Sequence, residues 1–141
     1  MVDKTFLHWP FFGDEHRDVR LRLKEFISRE LCEVDHGNID QACKKLVSAL
    51  GEANFLSYTG DPTGKLDVRT LCLIRETLAY HDGLADFSFA MQGLGSGAIS
   101  LYGSEEQKQE WLTKTRNGKA IAAFALTEPQ SGSDVANSTM T

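Results

Sequence analysis

Long apolar runs are absent from this 141-residue sequence, and so are runs of lysine or arginine. The formal net charge is −5 with acids and bases interleaved, so we expect neither nucleic acid nor an anionic membrane surface as a partner. No stretch reaches the length of a membrane span. The first residues lack both the apolar core of a signal peptide and the Arg- and Ser-rich character of a transit peptide. These absences predict a cytoplasmic protein with no membrane span.

Cysteine is scarce, and no CxxC pair occurs among Cys32, Cys43 and Cys72. Their odd number and their positions in helical patterns predict buried free thiols rather than a disulfide or a metal site. The four histidines have no spacing that would place two of them on one helical face beside carboxylates. We therefore expect no zinc site, and we expect the histidines to be surface or capping residues.

The sequence does contain a succession of helical patterns. Apolar residues recur at three-and-four spacing from Asp14 to about Val34, which predicts a first helix. A second helix is predicted from its N-cap Asn38 to Gly51, where a left-handed residue would end it. Asp67 is predicted to cap a third helix. The first turns of this helix are apolar nearly all round, which indicates a central, buried position.

A glycine-rich passage over residues 93–97 is predicted to interrupt the fourth helical stretch. It lacks the preceding strand and the spacing of a dinucleotide-binding fingerprint, so close packing of helices explains it better. Ser104 and Gln107 then form a capping box, which predicts a further helix to about Thr115. Asn117-Gly118 is expected to end that helix.

The chain changes character near Lys119. Residues 120–126 form an apolar run too short for a helix, which predicts a strand, and a polar, glycine-containing loop follows. A single strand cannot form a stable sheet, so we expect the missing strands downstream of Thr141. The predicted fold class is all-α. A helical bundle over residues 1–118 would lead into the first strand and loop of a truncated β domain over residues 119–141.

The segment Phe124-Ala125-Leu126-Thr127-Glu128-Pro129-Gln130-Ser131-Gly132-Ser133-Asp134 is similar to the flavin-loop signature of the acyl-CoA dehydrogenase family. In that signature an apolar residue precedes Thr/Ser-Glu-Pro, and Gly-Ser-Asp follows after two spacers. The helical patterns, the glycine-rich passage and the capping box lie in the order that the family requires, so the resemblance covers almost the whole chain. One departure is Asn137, where the family usually has a small residue.

The resemblance implies FAD as the cofactor, with the polar edge of the flavin ring meeting hydroxyls and backbone amides of the loop. Thr127 would lie near the ring with two apolar neighbours, and Ser133 would touch both FAD and the acyl-CoA substrate. The implied cofactor contacts are Phe124, Ala125, Leu126, Thr127, Glu128, Pro129, Gly132 and Ser133. Taken without the family pattern, Phe124 and Leu126 would be core residues. Thr127 would be a turn-capping hydroxyl, and Ser133 and Asp134 would be N-caps.

The reaction implied by the resemblance is α,β-dehydrogenation of an acyl-CoA thioester to a trans-2-enoyl-CoA. A carboxylate base removes the α proton, and in the family this base lies in a C-terminal helical domain, so no catalytic residue is assigned within this chain. Glu76 is interpreted as a paired or helix-edge acid and Glu128 as a residue that holds the loop's shape. Electron-transfer flavoprotein is the implied electron acceptor, and a homo-oligomer is the implied assembly.

Two alternatives stay open. The chain could derive from an acyl-CoA oxidase, or it could be a non-catalytic helical module that docks on a partner carrying the missing domains. The glycine-rich passage could likewise form a wall of the acyl pocket. We expect the chain alone to be incomplete, neither holding FAD tightly nor turning over acyl-CoA.

Overall fold

Five helical segments dominate the computed structural model, which describes residues 5–140. The first four are α1 (Asp14–Glu30), α2 (Ile39–Glu52), α3 (Val68–His81) and α4 (Gly83–Tyr102). The fifth, α5, is the continuous stretch 105–116, in which Glu105–Gln107 and Thr113–Arg116 flank a π-helical turn, Lys108–Leu112. Short 3₁₀ turns occur at Thr5–His8, Phe55–Tyr58 and Val135–Asn137. The all-α class predicted from the sequence is confirmed.

Side-chain caps begin the helices where the sequence predicts them. Asn38 accepts the amide of Gln41 at the start of α2, and the Asp67 carboxylate accepts the amide of Arg69 at the start of α3. The capping box of Ser104 also forms at the start of α5. These bonds satisfy amides that have no partner inside the helix, which explains the sharp starts.

Helix α3 packs against both α1 and α4, and α2 packs against α4. The side chains at the centre of the core are Leu23, Leu50, Leu56, Ile74, Leu78 and Phe89. An ion pair from Arg20 to Glu76, at 3.1 Å, joins α1 to α3 beside this core. Glu76 is therefore a paired acid, as the sequence indicated.

The expected burial of α3 on all sides is wrong. Leu73, Ile74 and Leu78 are buried, but Val68 and Cys72 are exposed, because only one face of α3 meets its neighbours.

The predicted burial of the cysteines is also wrong. Cys32 and Cys72 are exposed and Cys43 is partly buried, although all three thiols are free.

Two glycines predicted to break helices instead permit close packing. Helix α2 ends at Glu52, one residue after the predicted stop, but Gly51 itself is helical rather than left-handed, and a Cβ built on it would lie 2.4 Å from the amide nitrogen of Gly118. Residues 93–97 lie inside α4, where a Cβ on Gly95 would lie 2.7 Å from the Cβ of Ala122. The predicted interruption of α4 is therefore wrong, and at both positions glycine permits close approach of another segment. The first helix also ends earlier than expected, at Glu30.

Residues 120–126 form no β-strand, and no strand occurs elsewhere within residues 5–140. An isolated bridge between Glu128 and Ser131 is the one β-type pairing among those residues. A strand needs a partner, and no described segment pairs with residues 120–126. The start of a β domain at Lys119 therefore stays a prediction. Over the same described range, no helix combines the length and apolarity needed to cross a bilayer.

Candidate functional site

The chain leaves α5 through a left-handed glycine and then runs across α4. Gly118 has φ +68°, which ends α5 as the sequence predicts. The buried side chain of Gln92 on α4 hydrogen-bonds the backbone of residues 115, 120 and 122. The segment that follows, residues 123–127, therefore starts from a fixed point on the helical bundle.

Residues 124–127 point outward and make no hydrogen bond with the rest of the described chain. The Phe124 side chain is 44% exposed and that of Leu126 is 41% exposed, so neither is a core residue there. The Thr127 hydroxyl is exposed and caps no turn within residues 5–140. The geometry therefore does not support core packing for Phe124 and Leu126 or turn capping for Thr127.

The Glu128 carboxylate organises the rest of the loop. It accepts the backbone amides of Thr139 at 2.9 Å and Met140 at 3.1 Å, and it also accepts the hydroxyl of Ser138. The Gln130 side-chain amide donates to it at 2.6 Å. These contacts support the interpretation of Glu128 as the residue that holds the loop's shape.

Hydrogen bonds from Ser138 and Thr139 lower the pKa of Glu128 from 4.5 to about 2. The carboxylate is therefore ionised at neutral pH and engaged with the loop's own donors. A general base needs a pKa near the operating pH, so Glu128 is poorly suited to that role.

The other end of the loop is closed by contacts around Asp134. The Ser131 hydroxyl donates to the Asp134 carbonyl at 2.6 Å, and the Asn137 side-chain amide donates to the Asp134 carboxylate. Asp134 precedes the turn Val135–Asn137 but makes no side-chain cap bond to it. Ser133 is exposed beside Gly132, where an added Cβ would meet no atom within 4 Å.

The eight residues implied as cofactor contacts thus separate into two groups. Glu128 is buried within the loop, and the other seven are exposed: Phe124, Ala125, Leu126, Thr127, Pro129, Gly132 and Ser133. Within residues 5–140 no cluster of three or more His, Cys, Asp and Glu side chains has the arrangement of a metal site.

Sequence reasoning missed Gln92, whose signal was a single amide side chain in an otherwise small and apolar stretch of α4. It also missed the contacts of residues 138–140 with Glu128. Those contacts use mainly backbone amides and hydroxyls, which carry no distinctive sequence pattern.

Comparison with known proteins identifies similar chains. Residues 13–119 match the model of the family described as acyl-CoA dehydrogenase, N-terminal domain. A probable acyl-CoA dehydrogenase of Bacillus subtilis (strain 168) is 31% identical over 133 residues, covering 87% of this chain and 22% of the relative. The mitochondrial short-chain specific acyl-CoA dehydrogenase of Mus musculus is 30% identical over 135 residues, covering 86% of this chain and 31% of the relative.

A third relative has a higher sequence identity over a shorter alignment. The mitochondrial very long-chain specific acyl-CoA dehydrogenase of Rattus norvegicus is 45% identical over 65 residues, which is 45% of this chain and 10% of that protein. This chain therefore spans less than a third of the length of each of these three relatives. The family match ends at residue 119, just before the candidate loop.

Proposed function

This chain belongs to the acyl-CoA dehydrogenase family, and we propose that it supplies the N-terminal helical domain and the first flavin-contacting loop of an FAD-dependent enzyme. The reaction of that enzyme is α,β-dehydrogenation of an acyl-CoA thioester to a trans-2-enoyl-CoA. The observation that carries the proposal is the outward-facing segment 124–127, which starts from a fixed point on α4 and presents polar groups that have no hydrogen-bond partner within residues 5–140.

The chemistry of this segment fits a flavin. Phe124 and Leu126 offer exposed apolar surface for the ring, while the Thr127 hydroxyl and the neighbouring backbone amides are available to its polar edge. Ala125, Pro129 and Gly132 are small or conformationally restricted residues that let the backbone approach the ligand. When bound, FAD would supply the acceptor for the hydride that leaves the β carbon of the substrate.

Ser133 is the proposed contact shared by FAD and the acyl-CoA substrate. Its exposed hydroxyl lies at the far end of the loop from Thr127, and the bonds of Glu128 and Ser131 brace the loop between them. This bracing would let one loop face the cofactor at Thr127 and the substrate at Ser133.

The base that removes the α proton is proposed to lie in a domain outside this chain. The low pKa of Glu128 makes it a weak proton acceptor, and Glu76 is paired with Arg20 beside the core.

Three further expectations stay predictions: electron-transfer flavoprotein as the electron acceptor, a homo-oligomeric assembly and a cytoplasmic compartment. Both mammalian relatives are named as mitochondrial proteins.

A second candidate is a non-catalytic helical module that docks on a partner. Phe87, Leu94 and Leu101 recur every seven residues along α4 and are all exposed, so they form an apolar stripe that another domain could cover. An acyl-CoA oxidase would use the same loop and the same cofactor. The docking module and the flavin-binding enzyme differ in whether Thr127 contributes to binding FAD.

The test uses the chain joined, after Thr141, to the remaining domains of the Bacillus subtilis relative. Thr127→Val keeps the shape of the side chain but leaves a polar flavin atom unpaired, so it should weaken FAD affinity by about 1–3 kcal/mol. Thr127→Ser keeps the hydroxyl and should be nearly silent. Ser133→Ala should weaken acyl-CoA binding more than FAD binding. FAD affinity, acyl-CoA affinity and melting temperature are measured on all three variants.

The docking-module reading predicts a different pattern. There the Thr127→Val protein would keep both its normal FAD affinity and its melting temperature, because the hydroxyl makes no hydrogen bond within residues 5–140. That result would refute the flavin role of Thr127. Reduction of a dye acceptor rather than oxygen during turnover would separate the dehydrogenase from the oxidase.

A further inference from the structure

Residues 117–123, the connecting segment, join α5 to the candidate flavin loop and are held against the bundle at both ends. We infer that Gln92 and Gly95 are positioning residues that fix where this segment delivers the loop. This inference rests on the proposed function, because it assigns a purpose to the placement of Thr127. Neither residue is proposed to touch the cofactor.

Gln92 is fully buried and uses both ends of its side-chain amide. Its Nε2 donates to the carbonyls of Thr115 at 3.1 Å and Ala120 at 2.9 Å, and its Oε1 accepts the amide of Ala122 at 2.6 Å. The partners dictate the orientation of the amide, because carbonyls need a donor and the Ala122 amide needs an acceptor. One side chain thus bonds the last turn of α5 and the segment that leaves it.

This combination of bonds is specific to glutamine at that position. A carboxylate offers no donor to the two carbonyls. An apolar side chain of similar size would leave the Ala120 carbonyl and the Ala122 amide without partners, whereas the Thr115 carbonyl would still accept the Gly118 amide. Such groups are costly when unsatisfied, so the segment would move to reach water. Gln92 therefore determines the path of the backbone as well as filling space.

Gly95 fixes the distance between the segment and α4. It lies three residues after Gln92, on the same side of the helix. A Cβ on Gly95 would come within 2.7 Å of both the Ala122 Cβ and the Ala123 amide nitrogen. Real Cβ contacts are not that short, so any side chain here would push the segment away from α4. The two residues constrain the same point, Ala122, by different physical means.

The other end of the segment is fixed on α2. A Cβ on Gly118 would lie 2.5 Å from the Val47 carbonyl oxygen, and its left-handed φ of +68° sets the direction of the turn. Beyond Ala122 no hydrogen bond to the bundle is made by residues 123–127 in the described chain. The position of Thr127 relative to the helices is therefore determined at Ala122.

Amide hydrogen exchange of the 141-residue chain, followed residue by residue with NMR, tests the inference. Gln92→Leu and Gly95→Ala should each speed exchange at Ala122 by about tenfold and shift the resonances of residues 123–127. Exchange in α1 and α3 should stay unchanged. Ser88→Ala is the matched control, because Ser88 is a buried polar residue of α4 whose hydroxyl has no hydrogen-bond partner within the described residues. It should leave Ala122 unaffected.

A merely structural role predicts a different result, in which exchange rises throughout the bundle in proportion to the loss of stability. That uniform pattern, or unchanged exchange at Ala122, would overturn the inference. Should Gln92→Leu fail to fold, Gly95→Ala decides the question alone, since it removes no hydrogen-bonding group.

A second measurement separates this inference from the proposed function. In the FAD-loaded protein with the remaining domains attached, Gln92→Leu and Gly95→Ala should weaken FAD binding at least fivefold. If Thr127→Val weakens FAD binding and these variants do not, the positioning role is wrong and the proposed function stands. If Thr127→Val has no effect while Ala122 exchange still responds to Gln92→Leu, the flavin role fails, and with it the purpose assigned to Gln92 and Gly95.

Discussion

The imidazole of His16 and the carboxylate of Asp67 meet at 2.8 Å, joining the first turn of α1 to the N-cap of α3. His16 is fully buried, and its Nδ1 accepts the amide of Gly13 at 3.0 Å. With a proton on Nε2 the ring donates to Asp67, while Nδ1 accepts the Gly13 amide. Asp67 also accepts the amide of Arg69 and the hydroxyl of Thr70, so one carboxylate both caps α3 and holds α1.

Removal of the Asp67 side chain should therefore destabilise more than the loss of an ordinary helix cap. Asp67→Ala is expected to lower the free energy of unfolding by about 2–4 kcal/mol, since the cap is lost and a buried His16 donor loses its partner. Asp67→Asn retains a capping oxygen and should lose about half as much. Urea unfolding followed by circular dichroism measures both, with Asp40→Asn as an exposed acidic control. Equal, small effects in all three variants would contradict the role of Asp67.

The stability of the chain should also depend on the ionisation of Asp67. Partial burial acts to raise the pKa of this group, but hydrogen bonds from Thr70, Arg69 and His16 outweigh it and lower the pKa from 3.8 to about 2. A lowered pKa in the folded state stabilises the fold above about pH 4, and that contribution is lost as the pH falls towards about 2.

Unfolding free energies measured between about pH 6 and pH 2 test this dependence. The difference between the unmodified chain and Asp67→Asn should be largest near pH 6 and should narrow below about pH 4. Glu128 has a similarly low pKa and contributes in the same window in both proteins, so it does not affect the difference. A difference that stays constant over the whole range would show that the Asp67 charge contributes nothing.

Substitution by alanine should have opposite effects on the stability of the chain at Gly118 and at Gly97. Gly118→Ala introduces a Cβ at positive φ and only 2.5 Å from the Val47 carbonyl, so it should destabilise the chain by at least about 2 kcal/mol. Gly97→Ala adds a methyl group in the interior of α4, where no other described segment comes within 4 Å, and it should stabilise the chain by up to about 1 kcal/mol. Thermal unfolding of the two proteins gives the comparison. A stabilised Gly118→Ala protein would contradict the contact with α2.

Glu128 should control the order of the loop without affecting the bundle. Glu128→Gln replaces one carboxylate acceptor with a donor, so the amides of Thr139 and Met140 should exchange faster. Exchange within residues 14–116 should not change. Glu110→Gln is the control, because the one ion pair of Glu110 within residues 5–140 is with Lys114 on the surface of α5. Unchanged exchange at both loop amides would show that the carboxylate does not hold the loop.

The parts of the fold that sequence predicts are those decided locally. Asn38, Asp67 and Ser104 cap helices because each bonds amides only two or three residues away. The recurrence of apolar residues likewise identifies α1 and α2, because a helical face is set by spacing alone.

The parts that sequence does not predict depend on distant partners. Helix α2 ends one residue after Gly51, but the reason for a glycine there is the approach of Gly118, not a left-handed stop. Gly95 similarly permits the approach of Ala122 rather than a break in α4. The run 120–126 has the composition of a strand but no described strand beside it. For the loop, family resemblance names Thr127, whereas Gln92 becomes visible only when the backbone of residues 115–122 is in place.

The meeting of Gly51 with Gly118 also links the order of synthesis to the order of folding. Helix α2 is made early, yet the turn that covers its C-terminal half is made only after α3, α4 and α5 have been added. Contacts between segments so far apart in sequence close late, because the intervening chain must first be ordered. On the ribosome, the surface of α2 around Gly51 is therefore exposed until the last helical segment has emerged. A pause in translation before residue 118 would prolong the lifetime of that incompletely packed intermediate.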